Sequence, residues 1–474
     1  MWMIAIILGY FAVLFAISRL TARRATNDTF FRGNRQSPWY MVAFGMVGAS
    51  ISGVTFVSVP GMVTSIDMTY MQTCLGFIFG YIAVAFILLP LYYRLNLTTI
   101  YSYLGKRMGQ RAYKTGASFF LLSKMIGAVV RFYVVCMILQ QFVFDSMGVP
   151  FVLTVSGMVA LIWLYTRGGG IKTLVWTDTF QTTCLFTALL LIIYKVVGQL
   201  GMTIPEAISA IAADEHSRMF VMDDWVSKQN FWKQFLSGVF IVIVMTGLDQ
   251  DMMQKNLTCK SLREAQKDMC TYGVAFVPAN LLFLSLGVLL VMLGESGVSD
   301  SLLPGFVERS GLSVLVPFTI GIVAASFSSA DSALTSLTTS YCVDIRGRAG
   351  DEQLRKRAHM MISILFVVMI LLFRLLNSTS VIDAIYTICG YTYGPLLGLF
   401  AFGMLTHRMP RDRFVPYICI ASPLVCYAID TLTWSLSGYR FGYELLMMNG
   451  ALTFLALLAV SSRETPLAEC QNAS

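Results

Sequence analysis

Charged and histidine residues are scarce in this sequence of 474 residues. Only 13% of the residues are charged and only three are histidine, whereas soluble domains carry about 25% charged residues. Hydrophobic residues make up 56% of the chain and the mean hydropathy is +0.69. These values exclude an ordinary soluble enzyme and predict an all-α protein that crosses a lipid bilayer many times.

Metal-binding and catalytic patterns are also lacking. The ten cysteines form no CxxC pair and no cluster with histidine, and most lie inside apolar runs, where a small buried side chain is the ordinary role. No Ser/His/Asp set stands out, so we do not expect an enzyme. The net charge of +8 is explained by basic loops on one side of a membrane, so we expect no nucleic-acid partner and infer no obligate protein partner.

Long apolar segments define the organisation of the chain. A spanning helix needs roughly 20 apolar residues, and about thirteen segments qualify. They are 2–19, 39–64, 69–93, 115–145, 149–166, 176–199, 231–253, 269–294, 312–342, 358–376, 381–405, 412–434 and 443–462. We expect residues 2–19 to be a retained first helix rather than a signal peptide, because no basic segment or small-residue cleavage site accompanies them.

Lys and Arg residues predict the orientation in the membrane. With thirteen helices, all the basic loops fall on one side, while the alternate loops 206–224 and 295–308 are acidic. The basic clusters lie at 19–35, 94–114, 167–172, 255–267, 346–357 and 408–413, with Arg463 last. Lys255 is counted here as a loop cation. We therefore expect an inner (plasma) membrane protein with its N-terminus outside and its C-terminus in the cytoplasm.

Two loops contain predicted helices of their own. The alanine-rich residues 206–213 predict a short amphipathic helix outside the membrane. Residues 260–268 predict a cytoplasmic surface helix with Ser261 as N-cap and Glu264 three residues later. We expect the charges of this second helix to face solvent.

One apolar segment, 322–337, carries a series of hydroxyl groups and a carboxylate. Because residues three and four apart share a helix face, one side of this helix carries Ala325, Ser328, Ser329 and Ser332. Asp331 lies beside them, and a carboxylate inside a membrane segment indicates an ion or substrate path. A small-residue packing seam would explain the serines but not Asp331. Hard oxygen donors suit alkali cations, so we favour an ion site.

Two other membrane segments are predicted to be broken. Residues 45–61 (GMVGASISGVTFVSVPG) contain several glycines and a proline, and residues 245–251 read MTGLDQD. They lie five helices apart in opposite orientations. Paired interrupted helices of this kind indicate a transporter built from inverted repeats, in which freed backbone groups bind ions and substrate.

Four motifs together resemble the sodium/solute symporter family, and the resemblance spans nearly the whole chain. They are 48–56 (GASISGVTF), 175–181 (VWTDTFQ), 249–255 (DQDMMQK) and 328–332 (SSADS). Within the family, the first motif is most similar to bacterial sodium/sialic acid symporters. The resemblance implies one transmembrane domain, 1–474, with a LeuT-type fold. Its parts would be a leader helix (2–19), a first repeat (39–199), an inverted second repeat (231–405), two accessory helices (412–462) and a cytoplasmic tail (463–474).

The resemblance also implies two cation sites. The main sodium site would use Gly48, Ile51, Ala325, Ser328 and Ser329. A second sodium or proton site would involve Asp178, Ser328, Asp331 and Ser332. Asp331 departs from the sialic acid branch, which has a hydroxyl residue there. Two carboxylates sharing a site need compensating cations or a proton, and we favour two sodium ions over one sodium and one proton.

Substrate contacts are implied on the broken helices and the fourth helix. The candidates are Ser50, Ser52, Thr55, Arg131, Gln72 and Gln250. The sialic acid branch holds the carboxylate with an arginine where this chain has Gly127, and Arg131 lies one turn (about 6 Å) further on. Arg131 could instead pair with Asp249 or Asp251, and both glutamines could simply join helices. An aromatic gate residue of the sugar carriers corresponds here to Met245.

We therefore expect a sodium-coupled symporter that imports a small organic solute by alternating access. A carboxylate such as sialic acid, or another organic acid, is favoured by Arg131. Two alternatives stay open: a transporter-like membrane sensor or signalling module, and a symporter for an uncharged solute such as a sugar or vitamin. The short tail favours a transporter over a sensor.

Overall fold

The structure is a computed structural model that describes residues 2–22, 26–225, 227–297, 299–376, 381–439 and 441–463. Almost all of these residues are helical. The first ten helices are α1 (Trp2–Thr21), α2 (Asn27–Arg32), α3 (Trp39–Ser50), α4 (Gly53–Ile66), α5 (Tyr70–Ala83), α6 (Leu89–Arg94), α7 (Ser102–Arg107), α8 (Gln110–Leu139), α9 (Phe151–Thr166) and α10 (Ile171–Gln199).

The second half of the chain is organised in the same way. Its helices are α11 (Ile204–Ala213), α12 (Phe231–Val242), α13 (Gln250–Asn256), α14 (Leu262–Met292), α15 (Leu302–Arg309), α16 (Leu312–Ser340), α17 (Glu352–Leu376), α18 (Val381–Leu405), α19 (Val415–Ser437) and α20 (Leu445–Ala459). A two-stranded antiparallel sheet joins β1 (Arg408–Pro410) to β2 (Ser461–Arg463), with Arg408 opposite Arg463.

Short 3₁₀ and π-helical turns extend or connect these helices. The 3₁₀ turns are Gly33–Arg35, Asp67–Thr69, Asp145–Met147, Glu215–Ser217, Ser299–Ser301 and Asp412–Phe414. The π-helical turns are Val84–Leu88, Gln140–Phe144, Ile243–Gly247 and Tyr341–Ile345. One π turn, Ile243–Gly247, leads directly into the interruption between α12 and α13, as is frequent for π turns at functional sites.

Every predicted membrane segment coincides with a helix. Among the described residues, seven helices are long and apolar enough to cross a bilayer, or eight if α12 and α13 form one bent span. The all-α, multi-pass character of the chain is therefore confirmed, while the count of thirteen spans stays a prediction.

The predicted outer helix is present as α11. Its first turn is capped reciprocally, because Thr203 and Glu206 bond each other's backbone N–H groups. Accepting the Thr203 N–H holds the pKa of the exposed Glu206 carboxyl below its usual value. The helix begins at Ile204, slightly before the predicted segment 206–213, because the Thr203 cap opens it there.

The prediction of a surface helix at 260–268 is only partly right. Ser261 does cap a helix and accepts a hydrogen bond from the Glu264 N–H, but that helix continues without interruption as α14. Its charges do not all face solvent, because Asp268 is fully buried and accepts a hydrogen bond from Asn256. A buried carboxylate requires such a partner, and Asn256 comes from the end of the neighbouring helix α13.

Helix α16 lies at the centre of the fold. It packs against α3, α4, α8, α10, α13 and α17. Nearly all of its residues from Gly321 onwards are buried, because its alanines and serines are small enough for neighbouring helices to approach closely. The helix with the predicted ion-binding residues is therefore the one around which the transmembrane core is built.

Candidate functional site

The break predicted in the second membrane segment lies between α3 and α4. Ile51 (φ −80°, ψ 88°) and Ser52 (φ −74°, ψ 169°) have non-helical conformations, and Ser52 caps α4 by accepting a hydrogen bond from the Thr55 N–H at 3.4 Å. Glycine is required beside the break: a Cβ atom on Gly48 would collide with Thr182 of α10. These contacts hold the unwound turn against the core.

The break leaves backbone carbonyl groups without their helical partners. In the part of the chain that the structure describes, no backbone N–H donates to the carbonyls of Gly48 or Ile51. The hydroxyl of Ser329, on α16, donates to the carbonyl of Ala49 at 2.9 Å and to that of Ala325 at 3.3 Å. Four of the five predicted ligands of the main sodium site therefore lie at the junction of the broken helix and α16.

A small cavity of about 20 Å³ lies at this junction. Ala49, Ser52, Ser329 and Asp251 are among the residues that line it. A volume of roughly 10–15 Å³ suffices for one water molecule, so the cavity matches a single atomic guest. Carbonyl and hydroxyl oxygens are donors that hard cations prefer, so the broken helix and Ser329 offer ligands that suit a sodium ion. Lys124 and Arg131 also line this cavity, and Lys124 already compensates the charge of Asp251. The carboxylate of Asp251 was not among the predicted ligands.

Ser328, the fifth predicted ligand, points elsewhere. Its hydroxyl donates to Asp178 Oδ1 on α10 at 2.7 Å, so it is engaged with the second predicted site. Successive residues on a helix differ by about 100° in direction, which explains why Ser328 and Ser329 face different neighbours.

A larger cavity of about 120 Å³ opens beside the break. Four of the predicted substrate residues, Ser50, Ser52, Thr55 and Arg131, line it. Met245, which the resemblance aligned with an aromatic gate residue, also lines it. Its aromatic wall, which the sequence did not predict, consists of Tyr70, Phe77, Tyr81, Tyr272, Phe276 and Tyr393.

Arg131 of α8 is a half-buried cation on the wall of both cavities. Within the described ranges it has no ion pair or hydrogen bond. The alternative partners that the sequence left open, Asp249 and Asp251, are instead bound by Lys124, whose Nζ lies 3.3 Å and 2.6 Å from their carboxylates. Tyr393 also donates to Asp249 at 2.7 Å. The guanidinium group is thus left available to an anionic solute.

Two predicted substrate residues lie away from the cavity. Gln72 bonds the carbonyls of Thr69 and Gln229 and accepts from the Val221 N–H. Gln250 accepts from the Ile100 N–H and donates to the Thr98 carbonyl. Both amides are buried and form hydrogen bonds with the backbone of connecting segments. They therefore have the structural role that the sequence analysis gave as the alternative to substrate binding.

The second predicted cation site contains an unexpected lysine. The prediction that Lys255 is a loop cation is wrong. Its side chain is buried, with 1% of the residue exposed, and its Nζ lies 2.8 Å from Asp178 Oδ2. Asp331 is also buried and accepts hydrogen bonds from Tyr165 at 2.6 Å and from Ser332 at 3.3 Å. From the sequence, we had considered only sodium or a proton as the positive charge that balances these two carboxylates.

This architecture is that of a helical membrane transporter, with two cavities beside one helix break. Residues 30–412 match the sodium:solute symporter family, and the chain belongs to that family. It is therefore a transporter rather than an enzyme, and sodium is its coupling ion.

Known relatives agree with this assignment. The sodium/sialic acid symporter SiaT of Proteus mirabilis is 24% identical over 88% of this chain and 87% of its own length. The sodium/sialic acid symporter NanT of Aliivibrio fischeri is 24% identical over 84% of this chain and 82% of its own. The solved structure of a Na⁺-coupled sialic acid symporter in a substrate-bound outward-open state superposes with a TM-score of 0.83. It is 20% identical and covers 98% of this chain and 99% of that one, so the two share the LeuT-type fold.

Proposed function

We propose that this protein imports a small organic carboxylate together with sodium, by alternating access. The observation that carries this proposal is the half-buried Arg131 guanidinium on the cavity wall, which has no protein partner among the described residues. A planar guanidinium binds a carboxylate through two parallel hydrogen bonds, and partial burial strengthens that contact. The hydroxyls of Ser50, Ser52 and Thr55 would bind the polar groups of the same solute.

Sodium would bind at the junction of the broken helix and α16. The proposed ligands are the carbonyls of Gly48, Ile51 and Ala325 and the hydroxyl of Ser329, while Ser328 would have to rotate away from Asp178 to join them. Ser50 and Ser52, on the two sides of Ile51, face the solute cavity. An ion that fixes the unwound turn would therefore also fix the substrate-facing hydroxyls, which gives the two ligands a direct route to cooperative binding.

SiaT and NanT are sodium/sialic acid symporters, which makes sialic acid the first solute to test. The cavity of about 120 Å³ is small beside the roughly 300–1,000 Å³ that is usual for drug-sized ligands. Sialic acid would therefore require the cavity to widen, whereas a short monocarboxylate would not.

The function can be tested in proteoliposomes with an imposed inward sodium gradient. Sialic acid, short monocarboxylates and neutral sugars should first be screened by thermal shift with sodium or potassium, because a ligand of the folded state raises the unfolding temperature. We expect sodium-dependent uptake of an acid. Uptake of neutral solutes alone would contradict the carboxylate, and binding without uptake would favour a membrane sensor.

For the membrane topology we propose thirteen spanning helices, with the N-terminus outside and the C-terminus in the cytoplasm of a bacterial inner membrane. Helices within 39–199 and 231–405 would form the two inverted repeats, preceded by the leader helix and followed by two accessory helices at 412–462. The break between α3 and α4 and the 70° bend between α12 and α13 support this arrangement, because they occur at corresponding places in the two repeats.

Labelling with a membrane-impermeant thiol reagent tests this topology. Residues 215 and 348 are both exposed and lie in loops predicted on opposite sides. Glu215→Cys should react in intact cells, whereas Arg348→Cys should react only after permeabilisation. Unmodified protein measures the background from the native cysteines. Labelling of both variants in intact cells would contradict the helix count.

A further inference from the structure

An apolar groove lies between α9 and α17 on the outer surface of the helix bundle. Its lining comes from 156–163 on α9 and from 360–368 on α17, and its volume is about 370 Å³. The hydroxyl of Ser363, one of the few polar groups in the lining, donates to the His359 carbonyl of its own helix at 2.8 Å. A concave space of this size is in the usual range of ligand sites, roughly 300–1,000 Å³. Its apolar walls suit a hydrocarbon chain.

The groove is nearly as long as one leaflet of a bilayer is thick. Arg355, in the first turn of α17, donates from Nη1 to the carbonyl of Arg167, directly after the end of α9, at 3.1 Å. The end of α9 and the start of α17 therefore meet, so Trp163 and Met360 lie at the same end of the groove. From there the segment 360–368 extends for about 12 Å, and half of the hydrocarbon core measures about 15 Å.

Two arginines lie at that end of the groove. Arg167 is one turn beyond Trp163, and its Cζ lies 5.0 Å from the centroid of the Trp163 ring. Arg357 is three residues before Met360, so the two residues share a face of α17. Both arginines are exposed, and within the described ranges neither forms an ion pair.

The other charges at this end do not cancel those of the two arginines. Arg355 is buried and donates to Asn27 Oδ1 at 2.9 Å, and Lys356 pairs with Glu352 at 2.8 Å. Residues 351–357 contain three basic and two acidic side chains, so with Arg167 the net charge is 3 + 1 − 2 = +2. An apolar groove that ends in a positive charge is complementary to a molecule with a hydrocarbon chain and an anionic head.

We propose that this groove binds an anionic phospholipid, with one acyl chain between α9 and α17 and the phosphate at Arg167 and Arg357. Guanidinium groups bind phosphate through parallel hydrogen bonds, and basic pockets between membrane helices bind anionic headgroups. Both α9 and α17 pack against α16. The lipid would therefore stabilise two helices that support the central helix of the fold, a role separate from the proposed transport of sodium and solute.

A second copy of the chain fits this face less well. Two copies in one membrane share their orientation, so a two-fold axis between them runs along the membrane normal. Such a dimer would bring Arg167 and Arg357 of both copies together at the same side of the membrane. Charges of the same sign repel each other, most strongly where little water screens them. An anionic lipid has the opposite charge at the same place.

Native mass spectrometry of the full chain in a neutral detergent tests the proposal. Phosphatidylglycerol and phosphatidylcholine with the same acyl chains are added separately, so only the headgroup charge differs. We expect the wild type to bind phosphatidylglycerol with a Kd about tenfold lower or more, because two basic residues contact its phosphate. In Arg167→Gln with Arg357→Gln, the two lipids should bind equally.

Two matched controls separate the groove from general effects of charge and bulk. Arg94→Gln with Arg263→Gln removes two exposed arginines far along the chain and should keep the preference for phosphatidylglycerol. Ala160→Trp fills the groove without touching its arginines and should weaken phosphatidylglycerol binding about tenfold. Leu190→Trp, at an exposed position on α10, should not. If Ala160→Trp cannot be purified, the two arginine pairs still decide the question.

Four results would overturn the inference. The first is equal binding of the two lipids by the wild type, and the second is an equal loss of preference in the two arginine pairs. The third is displacement of the lipid by millimolar inorganic phosphate, which would indicate a site for a free anion. The fourth is a lipid-free dimer that Ala160→Trp dissociates, which would assign the groove to a second copy. Sodium-dependent uptake in proteoliposomes is measured separately, so none of these failures would contradict the proposed function.

Discussion

The hydroxyl of Ser329 lies 2.9 Å from the carbonyl oxygen of Ala49 and donates a hydrogen bond to it. This contact joins the central helix α16 to the last turn of α3, directly before the chain unwinds at Ile51 and Ser52. Because the same short turn faces the solute cavity, the position of α16 and the shape of the cavity depend on one another.

We predict that Ser329→Ala lowers the apparent sodium affinity by about tenfold, because loss of one polar contact costs about 1–1.5 kcal/mol. Sodium-dependent thermal shift and uptake kinetics measure it. Ser336→Ala is the matched control, since Ser336 is buried on the same helix and bonds only within it, to the Ala333 carbonyl. Equal sodium affinities in the two variants would remove Ser329 from the ion site.

We predict that Arg131→Lys raises the KM for a carboxylate solute by about tenfold or more, because an ammonium group cannot replace the two parallel hydrogen bonds of guanidinium. Initial uptake rates over a range of solute concentrations measure the change. Arg111→Lys, at an exposed position near the start of the same helix, should leave the KM unchanged. An unchanged KM in Arg131→Lys would show that Arg131 does not contact the solute.

We predict that Asp178→Asn destabilises the protein by about 3–5 kcal/mol, because it leaves the buried Lys255 ammonium without its charge partner. Removing both charges in Asp178→Asn with Lys255→Met should restore much of the loss. Thermal unfolding in detergent measures both effects. Asp223→Asn breaks an ion pair with Arg218 that is largely exposed and should change little. A stable single Asp178→Asn variant would contradict this prediction.

We predict that Gly48→Ala costs about 1–3 kcal/mol and weakens sodium binding, because the new methyl group collides with Thr182 and pushes α3 away from α10. Thermal unfolding and sodium titration measure the two effects. Gly157→Ala is the control, since a Cβ there would meet nothing within 4 Å. Normal sodium affinity in Gly48→Ala would mean that the close packing at Gly48 does not position the ion site.

The sequence by itself determined the features that depend on local patterns. Apolar length predicted the helices, and Ser261 with Glu264 three residues later predicted where one of them begins. The glycines, serines and proline within 45–61 predicted a break in the second segment, and the structure has this break at Ile51 and Ser52. These features depend on residues a few positions apart, and the four motifs placed the chain in its family for the same reason.

Only the tertiary structure decided which charges meet. Lys255 follows a predicted break and precedes a basic cluster, so the neighbouring residues led us to predict a loop cation. Its partner Asp178 lies on another helix, and no local pattern indicates that the two residues pair. Likewise, the sequence offered Arg131 as a partner for Asp249, and only the packing of the helices showed that Lys124 binds it instead. A buried ion pair is specified by distance between helices, because Coulomb energy and desolvation depend on separation in space and not on separation along the chain.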